Sequence, residues 1–122
     1  LYLHLEPGDS FGGGGVHTPD AAALTRVRDA IVSETAAWKR VVSDARFGPM
    51  YTNMGEALKR VPQGYDANHP FVDDLKRKSH TWHVSFSEAD VCAPRFMEAY
   101  AEACRAAGPF HRFMAKALGV PW

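Results

Sequence analysis

The segment LYLHLEPGDSFGGGGVH (residues 1–17) decides the fold class, because it has the pattern of a strand, a turn and a return strand. In residues 1–6, leucine alternates with polar or aromatic side chains, and this period of two predicts a strand with one buried face and one polar face. Four consecutive glycines at 12–15 allow positive φ angles or the close approach of another part of the chain. We therefore expect a glycine-rich β-hairpin at the start of the chain.

Helical patterns separate this hairpin from a second strand and then follow that strand. Residues 17–44 show apolar side chains every three to four positions behind an N-cap at Thr18, which predicts one amphipathic helix. The remaining elements that we predict are a short strand at 57–61, a short helix at 70–78 capped by Asn68, a strand at 79–87, and helices at 94–107 and 110–119. Without a regular βαβ order, this favours an α+β fold, a small and mainly antiparallel sheet packed against three to four helices.

Length and charge limit the classes of partner. The chain has 122 residues, typical of one domain, and its 14 basic and 14 acidic side chains cancel. Zero net charge disfavours nucleic acid and anionic membrane surfaces as partners. No apolar run approaches the ~18 residues that span a bilayer. Two cysteines outside any CxxC pair favour a reducing environment, so we expect a single cytoplasmic domain over residues 1–122.

The glycine run does not match a nucleotide-binding loop. GxxxxGK(S/T) needs a lysine after the glycines, and GxGxxG needs a glycine where His17 stands. A weaker alternative stays open, in which exposed amides of the run, or the helix N-terminus beyond it, contact an anion. GxSxG is also absent, and neither cysteine has an activating histidine beside it, so nothing indicates a serine or cysteine hydrolase.

The six histidines raise the question of a metal site. HExxH is absent, and no cysteine–histidine pairing has zinc-finger spacing. A cluster of His4, Glu6 and His17 across the hairpin is geometrically conceivable. Outward histidines and carboxylates on a strand usually contact water, so we predict no metal, and the sequence identifies no cofactor.

A second candidate segment, LKRVPQGYDANHPFVDDLKRKS (residues 58–79), concentrates basic side chains around a turn. Cations there could bind an anion, and Tyr65 offers a ring for stacking. The plainer alternative is a solvated turn and a basic helix end, because cations complement the negative end of a helix dipole. Single-stranded nucleic acid is the least favoured option, since aromatic residues are few. The predicted ligand-binding residues are Lys59, Arg60, Tyr65, Asp66, His69 and Lys78.

The motifs YLHLEPGDSFGGGG, LKRVPQGYDANHP and LKRKS together resemble a bacterial and fungal family of conserved hypothetical proteins, domain of unknown function number twenty-four sixty-one. The resemblance covers essentially the whole chain. It implies that family members continue N-terminally with a helical segment, so that this chain corresponds to the C-terminal portion of the family pattern. It assigns no activity, and His80, Trp82 and His83 depart from the usual run after the lysine and serine.

Two functional hypotheses follow. The first is binding of an anionic small molecule in a pocket between the HLEPG strand and the KRVPQGYDANHP segment, with catalysis left open. His4 or Glu6 would then act as acid or base, with the segment's cations as clamps. This hypothesis requires Glu6 to lie close to Lys59, Arg60 and Lys78. The alternative is a non-catalytic structural or protein-interaction domain, in which the motifs only fix turns and sheet packing.

Overall fold

The glycine-rich hairpin is present in a computed structural model that describes residues 1–16, 19–52 and 57–120. The strands are β1 (Tyr2–His4), β2 (Ser10–Val16), β3 (Tyr51–Thr52) and β4 (His80–Phe86). The helices in the described residues are α1 (Ala21–Ser33), α2 (Thr35–Val42), α3 (Val72–Leu75), α4 (Glu88–Cys92), α5 (Phe96–Ala106) and α6 (Gly108–Leu118). The predicted α+β class is confirmed.

The central strands β2 and β4 belong to an antiparallel sheet with the strand order β1-β2-β4-β3. Their register pairs Ser10 with Phe86 at one end and Val16 with His80 at the other. Directly paired residues project to the same face of a sheet. Trp82, paired with a glycine of β2, therefore lies on the face that α6 covers, where it is fully buried.

Two glycines of β2 are required by the rings that pack on the strand. A Cβ atom at Gly12 would lie 2.9 Å from Cε1 of Tyr100. A Cβ atom at Gly14 would lie 2.9 Å from Cε1 of His111 and 3.0 Å from Nε1 of Trp82. Real Cβ atoms essentially never approach other atoms more closely than 3.0 Å. The glycine run thus brings helix side chains onto the strand backbone, which is a packing role.

The helix predicted at residues 17–44 is divided in two. α1 begins after Asp20, whose carboxylate accepts a hydrogen bond from the Ala23 amide at 2.8 Å; the predicted cap, Thr18, lies outside the described residues. Glu34 interrupts the helix with φ −119° and ψ 44°. The next hydroxyl, of Thr35, donates to backbone carbonyls at 2.9 Å, a bond that competes with regular helix. The predicted apolar stripe is nevertheless buried at Val27, Ile31 and Trp38.

The strand predicted at 57–61 is not formed. This part of the chain has only an isolated bridge between Ala57 and Arg77, and the edge strand next to β4 is β3 instead. Pro62 lacks an N–H for a ladder, and its carbonyl accepts from the Tyr65 amide at 3.2 Å, so the chain turns away.

The helix predicted at 70–78 is reduced to the single turn of α3. Its N-cap is Phe71, without a side-chain cap, and not Asn68. The helix ends where the chain pairs with residues 57–58, because the Lys76 carbonyl accepts a hydrogen bond from the Leu58 amide at 2.7 Å. Lys78 therefore follows the helix and does not belong to its last turn.

The second half of the chain follows its sequence pattern. α4 has a complete capping box, in which Ser87 and Asp90 each bond the other's backbone amide. α6 ends at Gly119, which has a left-handed φ of 69°. None of the helices in the described part of the chain has the length and apolar character that a membrane crossing requires.

The close contact at Gly14 gives a test of the packing. We expect Gly14→Ala to lower the free energy of unfolding by about 1–3 kcal/mol, because the added methyl group displaces His111 and Trp82. Urea denaturation would measure this loss. Gly108→Ala is the matched control, since its Cβ would meet only the mobile end of Arg112 at 3.3 Å. Equal stabilities of the two variants would contradict the packing role.

Candidate functional site

The predicted acid–base pair lies at the turn of the hairpin. Nε2 of His4 is 2.9 Å from Oε2 of Glu6, and both side chains are exposed. Asp9, which the sequence did not indicate, offers a third atom, and one ligand atom from each of the three lies within 4.8 Å of the others. Imidazole and carboxylate donors suit a transition metal. Exposed sets of this kind are common without an ion, however, and the absence of a metal site stays a prediction.

The predicted clamp residue Lys78 lies at the other end of the sheet from Glu6. The backbone of Glu6 bonds Oγ of Ser10 at 3.2 and 3.0 Å, and Ser10 pairs with Phe86. Lys78 precedes His80 by two residues at the opposite end of β4. These ends are about 20 Å apart, at about 3.3 Å per residue.

Lys59 and Arg60 lie near the same end of the sheet as Lys78. They are exposed and lie two and three positions after Ala57, which is bridged to Arg77. The described geometry therefore gathers the predicted cations near the start of β4 and leaves the acid–base pair at its end. It does not bring them into one pocket, because each group is fixed to a different end of the same strand.

The other predicted ligand-binding residues hold their segment in place. The Tyr65 hydroxyl donates to Asp29 at 2.6 Å, and burial together with this bond raises the pKa of Tyr65 to about 12. Nε2 of His69 lies 3.3 Å from Oγ1 of Thr35, while its Nδ1 accepts a backbone N–H at 3.0 Å. The Asp66 carboxylate accepts the amide two residues further on. Each of these side chains has a structural partner.

A buried polar network, which the sequence analysis missed, joins α2, α3, β3 and β4. Asp74 accepts from Nε1 of Trp38 at 3.1 Å and from the Tyr51 hydroxyl at 3.0 Å. Nε of Arg77 is 3.3 Å from the same carboxylate, and its guanidinium carbon is 4.2 Å from the centre of the Tyr51 ring. Burial and the nearby Asp74 raise the pKa of Tyr51. Asp74 and Arg77 are three residues apart, but the other partners in this network are distant in the sequence. No local sequence pattern therefore predicts the network.

The directions of these hydrogen bonds assign the tautomer of His80. A carboxylate only accepts, so the Tyr51 hydroxyl donates to Asp74, and its oxygen accepts from Nδ1–H of His80 at 3.0 Å. Nε2 of His80 then carries a lone pair, and it has no hydrogen-bond partner among the described residues. Burial, followed by the charges of Arg77 and Arg28, lowers the pKa of His80 to about 3. The network is thus arranged around a neutral imidazole.

A cationic cavity, the α2–α6 cavity, has a volume of about 400 Å³. Its walls include Arg40, Asp44, Phe47, Arg112, Phe113 and Lys116. Within the described residues, the side chains of Arg40, Arg112 and Lys116 make no hydrogen bond or ion pair. Asp44, the one acid among the described residues of the wall, accepts two backbone N–H groups at 2.9 Å, and these bonds lower its pKa. The described wall therefore has three cations and one carboxylate, and that carboxylate already accepts two backbone hydrogen bonds.

Sequence reasoning did not find this cavity, although its cationic signal is local on each helix. Arg112 and Lys116 are four residues apart on α6, and Arg40 lies on α2. What the sequence does not show is that α2 and α6 pack against each other.

Most of the chain matches a known protein family. A family model described as Conserved hypothetical protein (DUF2461) matches residues 1–113. The chain belongs to this family. In the two other comparisons, no curated protein and no solved structure matches it. The resemblance carried by the HLEPG and KRVPQGYDANHP motifs is confirmed, and membership of DUF2461 assigns no activity to any residue.

The buried carboxylate of this DUF2461 chain gives a second test. Asp74→Asn places an amide N–H₂ group, or a weaker acceptor, against three donors and leaves Arg77 without its counter-charge. We expect the free energy of unfolding to fall by about 3 kcal/mol or more. Asp73→Asn, on the exposed side of α3, is the matched control. If both variants unfold at the same urea concentration, the network does not stabilise the fold.

Two buried neutral histidines predict how stability depends on pH. Nε2 of His111 accepts from Nε1 of Trp82 at 2.8 Å, and burial lowers the pKa of His111 to about 4. In the unfolded chain a histidine titrates near 6.5. Between these values the unfolded chain binds more protons, so stability is full above pH ~6.5 and is lost as the pH falls toward 4.

Urea unfolding of the wild type and of His111→Gln, measured at pH 7 and pH 4.5, checks this dependence. Glutamine retains an acceptor for Trp82 but does not titrate, so this variant should lose less stability on acidification. His83→Gln, on the other face of the sheet, should behave as the wild type does. An identical acid loss in His111→Gln and wild type would contradict the assignment.

Proposed function

We propose that this DUF2461 domain binds a small anionic molecule in the α2–α6 cavity. The observation that carries the proposal is the set of three cations, Arg40, Arg112 and Lys116, without an acidic partner in the described residues. A guanidinium group matches a carboxylate or phosphate in a forked geometry, and an ammonium group adds a point charge. The volume of about 400 Å³ falls within the ~300–1,000 Å³ that is usual for small-molecule sites.

The wall of the cavity also favours an apolar body on the ligand. Phe47 and Val41 are buried at its base, and the Phe113 ring lies partly exposed beside them. Apolar surface of this kind is covered favourably by hydrocarbon or an aromatic ring. The ligand class that fits is therefore an anionic group attached to a short apolar chain or ring.

The sequence-based location is a second candidate for the same function. Lys59, Arg60 and Lys78 belong to one side of the molecule, and this supports an anion clamp there without the acid–base pair. His4 and Glu6 at the hairpin turn are adjacent and exposed, which is suitable for proton transfer to a ligand bound at that turn. The separation of the two groups gives no support for one catalytic pocket, so binding alone is proposed.

Calorimetric titration with hexanoate, which has one anionic group and an apolar chain, tests the proposal. We expect saturable binding to the wild type and at least about tenfold weaker binding to Arg112→Gln, because a charge-assisted hydrogen bond contributes about 1.5–3 kcal/mol. Lys39→Gln removes the same charge from the position next to Arg40, outside the cavity wall, and should bind as the wild type does.

Two outcomes would contradict the location or the function. Weaker binding in the double variant Lys59→Gln/Arg60→Gln, with Arg112→Gln unchanged, would move the site to the sequence-predicted segment. No heat and no thermal shift with millimolar hexanoate, benzoate or phenyl phosphate would overturn anion binding and favour the non-catalytic interaction domain.

A further inference from the structure

A second cavity continues the α2–α6 cavity toward α1. It has a volume of about 390 Å³, and it shares Ala37, Phe113 and Lys116 with the first. The α1 and α2 residues that line the two cavities recur at spacings of three and four, which places them along one face of these helices. The two cavities thus form one groove, the α1–α2/α6 groove.

The charge of this groove changes along its length. The α1 end carries the carboxylates of Asp29 and Glu34 and the hydroxyl of Ser33. Its arginine, Arg26, donates from Nη1 to the Leu118 carbonyl at 3.1 Å. Lys116 is shared by both ends; apart from it, Asp29 and Glu34 outnumber Arg26 at the α1 end, whereas Arg40 and Arg112 outnumber Asp44 at the other. We call these ends the acidic half and the basic half of the groove.

The carboxylates of the acidic half can accept further hydrogen bonds. Asp29 accepts one hydrogen bond, from the Tyr65 hydroxyl at 2.6 Å. The Glu34 side chain has no hydrogen bond or ion pair within the described residues, while its backbone N–H and carbonyl are bonded to Ala30 and Trp38. Both carboxylates would repel a second anionic group bound here, whereas they would attract an ammonium group and accept its hydrogen bonds.

The distance between the acidic half and the basic half indicates how far apart the charged groups of a ligand would be. Glu34, the residue before α2, and Arg40 on α2 are six positions apart, so their Cα atoms are separated by about 9 Å along the helix axis at 1.5 Å per residue. Between them lies Ala37, whose small side chain leaves room for the body of a ligand. Lys116 lines both cavities and therefore lies at their junction.

We infer that the groove binds a zwitterion, with a carboxylate or phosphate at Arg40 and Arg112 and an ammonium group at Glu34 and Asp29. This inference rests on the proposed function and names its ligand class. It adds a requirement that anion binding alone does not have, namely a positive charge at the far end of the ligand.

Titrations with 6-aminohexanoate, hexanoate and hexylamine test this requirement, since the three differ only in their charged ends. The wild type should bind 6-aminohexanoate about fivefold more tightly than hexanoate, the size expected for an exposed ion pair. Glu34→Gln should lose this preference and keep its affinity for hexanoate. Glu88→Gln, on α4 outside the groove, should keep the preference.

The outcomes separate the inference from the function on which it rests. Equal binding of hexanoate and 6-aminohexanoate by the wild type, or a preference that survives in Glu34→Gln, would overturn the zwitterion and leave anion binding in place. Hexylamine binding as tightly as 6-aminohexanoate would also overturn it, because the anionic end would then contribute nothing. Binding of none of the three would remove the proposed function together with this inference.

Discussion

The carboxylate of Asp74 is the point on which the arrangement of the elements depends. It accepts from Trp38 of α2 and Tyr51 of β3 and faces Arg77 just before β4. A buried carboxylate is costly unless donors surround it, so these elements are held in the one arrangement that supplies them. The same requirement extends to the edge of the sheet, because the Tyr51 oxygen is then directed to His80.

The packing of aromatic rings against the glycines of β2 is the second constraint on the fold. Tyr100 of α5 and His111 of α6 approach the backbone of β2 so closely that the strand has no room for side chains there. The helices therefore lie nearer to the sheet than alanine or valine would allow, and α6 is brought beside α1 and α2. The groove between these helices is a consequence of that approach, since its position is set by where α6 rests on β2.

The sequence predicts those parts of the fold whose cause is local. Alternation in residues 79–87, the capping box of Ser87 and the glycine after α6 each depend on neighbours within a few positions. Alternation in residues 1–6 predicts a strand there but not its burial, because Leu1 and Leu5 lie outside β1 and are 62% and 56% exposed. The buried network depends on partners far apart in the chain: Asp74 is 36 residues from Trp38 and 23 from Tyr51. The α2–α6 cavity likewise needs α2 and α6 to pack against each other. Residues 58–79 are predicted as a site because they are basic and turn-rich, a pattern that does not show the hydrogen bonds made by Tyr65, Asp66 and His69.

The distribution of charge then distinguishes structure from function in this DUF2461 domain. Charged groups that the fold uses are paired and buried, such as Asp74 with Arg77, or Arg28 bonded to the Leu75 carbonyl at 2.8 Å. The charges of the α1–α2/α6 groove are exposed, and Arg40, Arg112 and Glu34 have no such partners within the described residues. Removing them would cost the fold little, because exposed charges contribute little to stability. Arg40 and Arg112 toward one end of the groove and Glu34 toward the other are thus charges that the fold does not use, and this supports the proposed ligand.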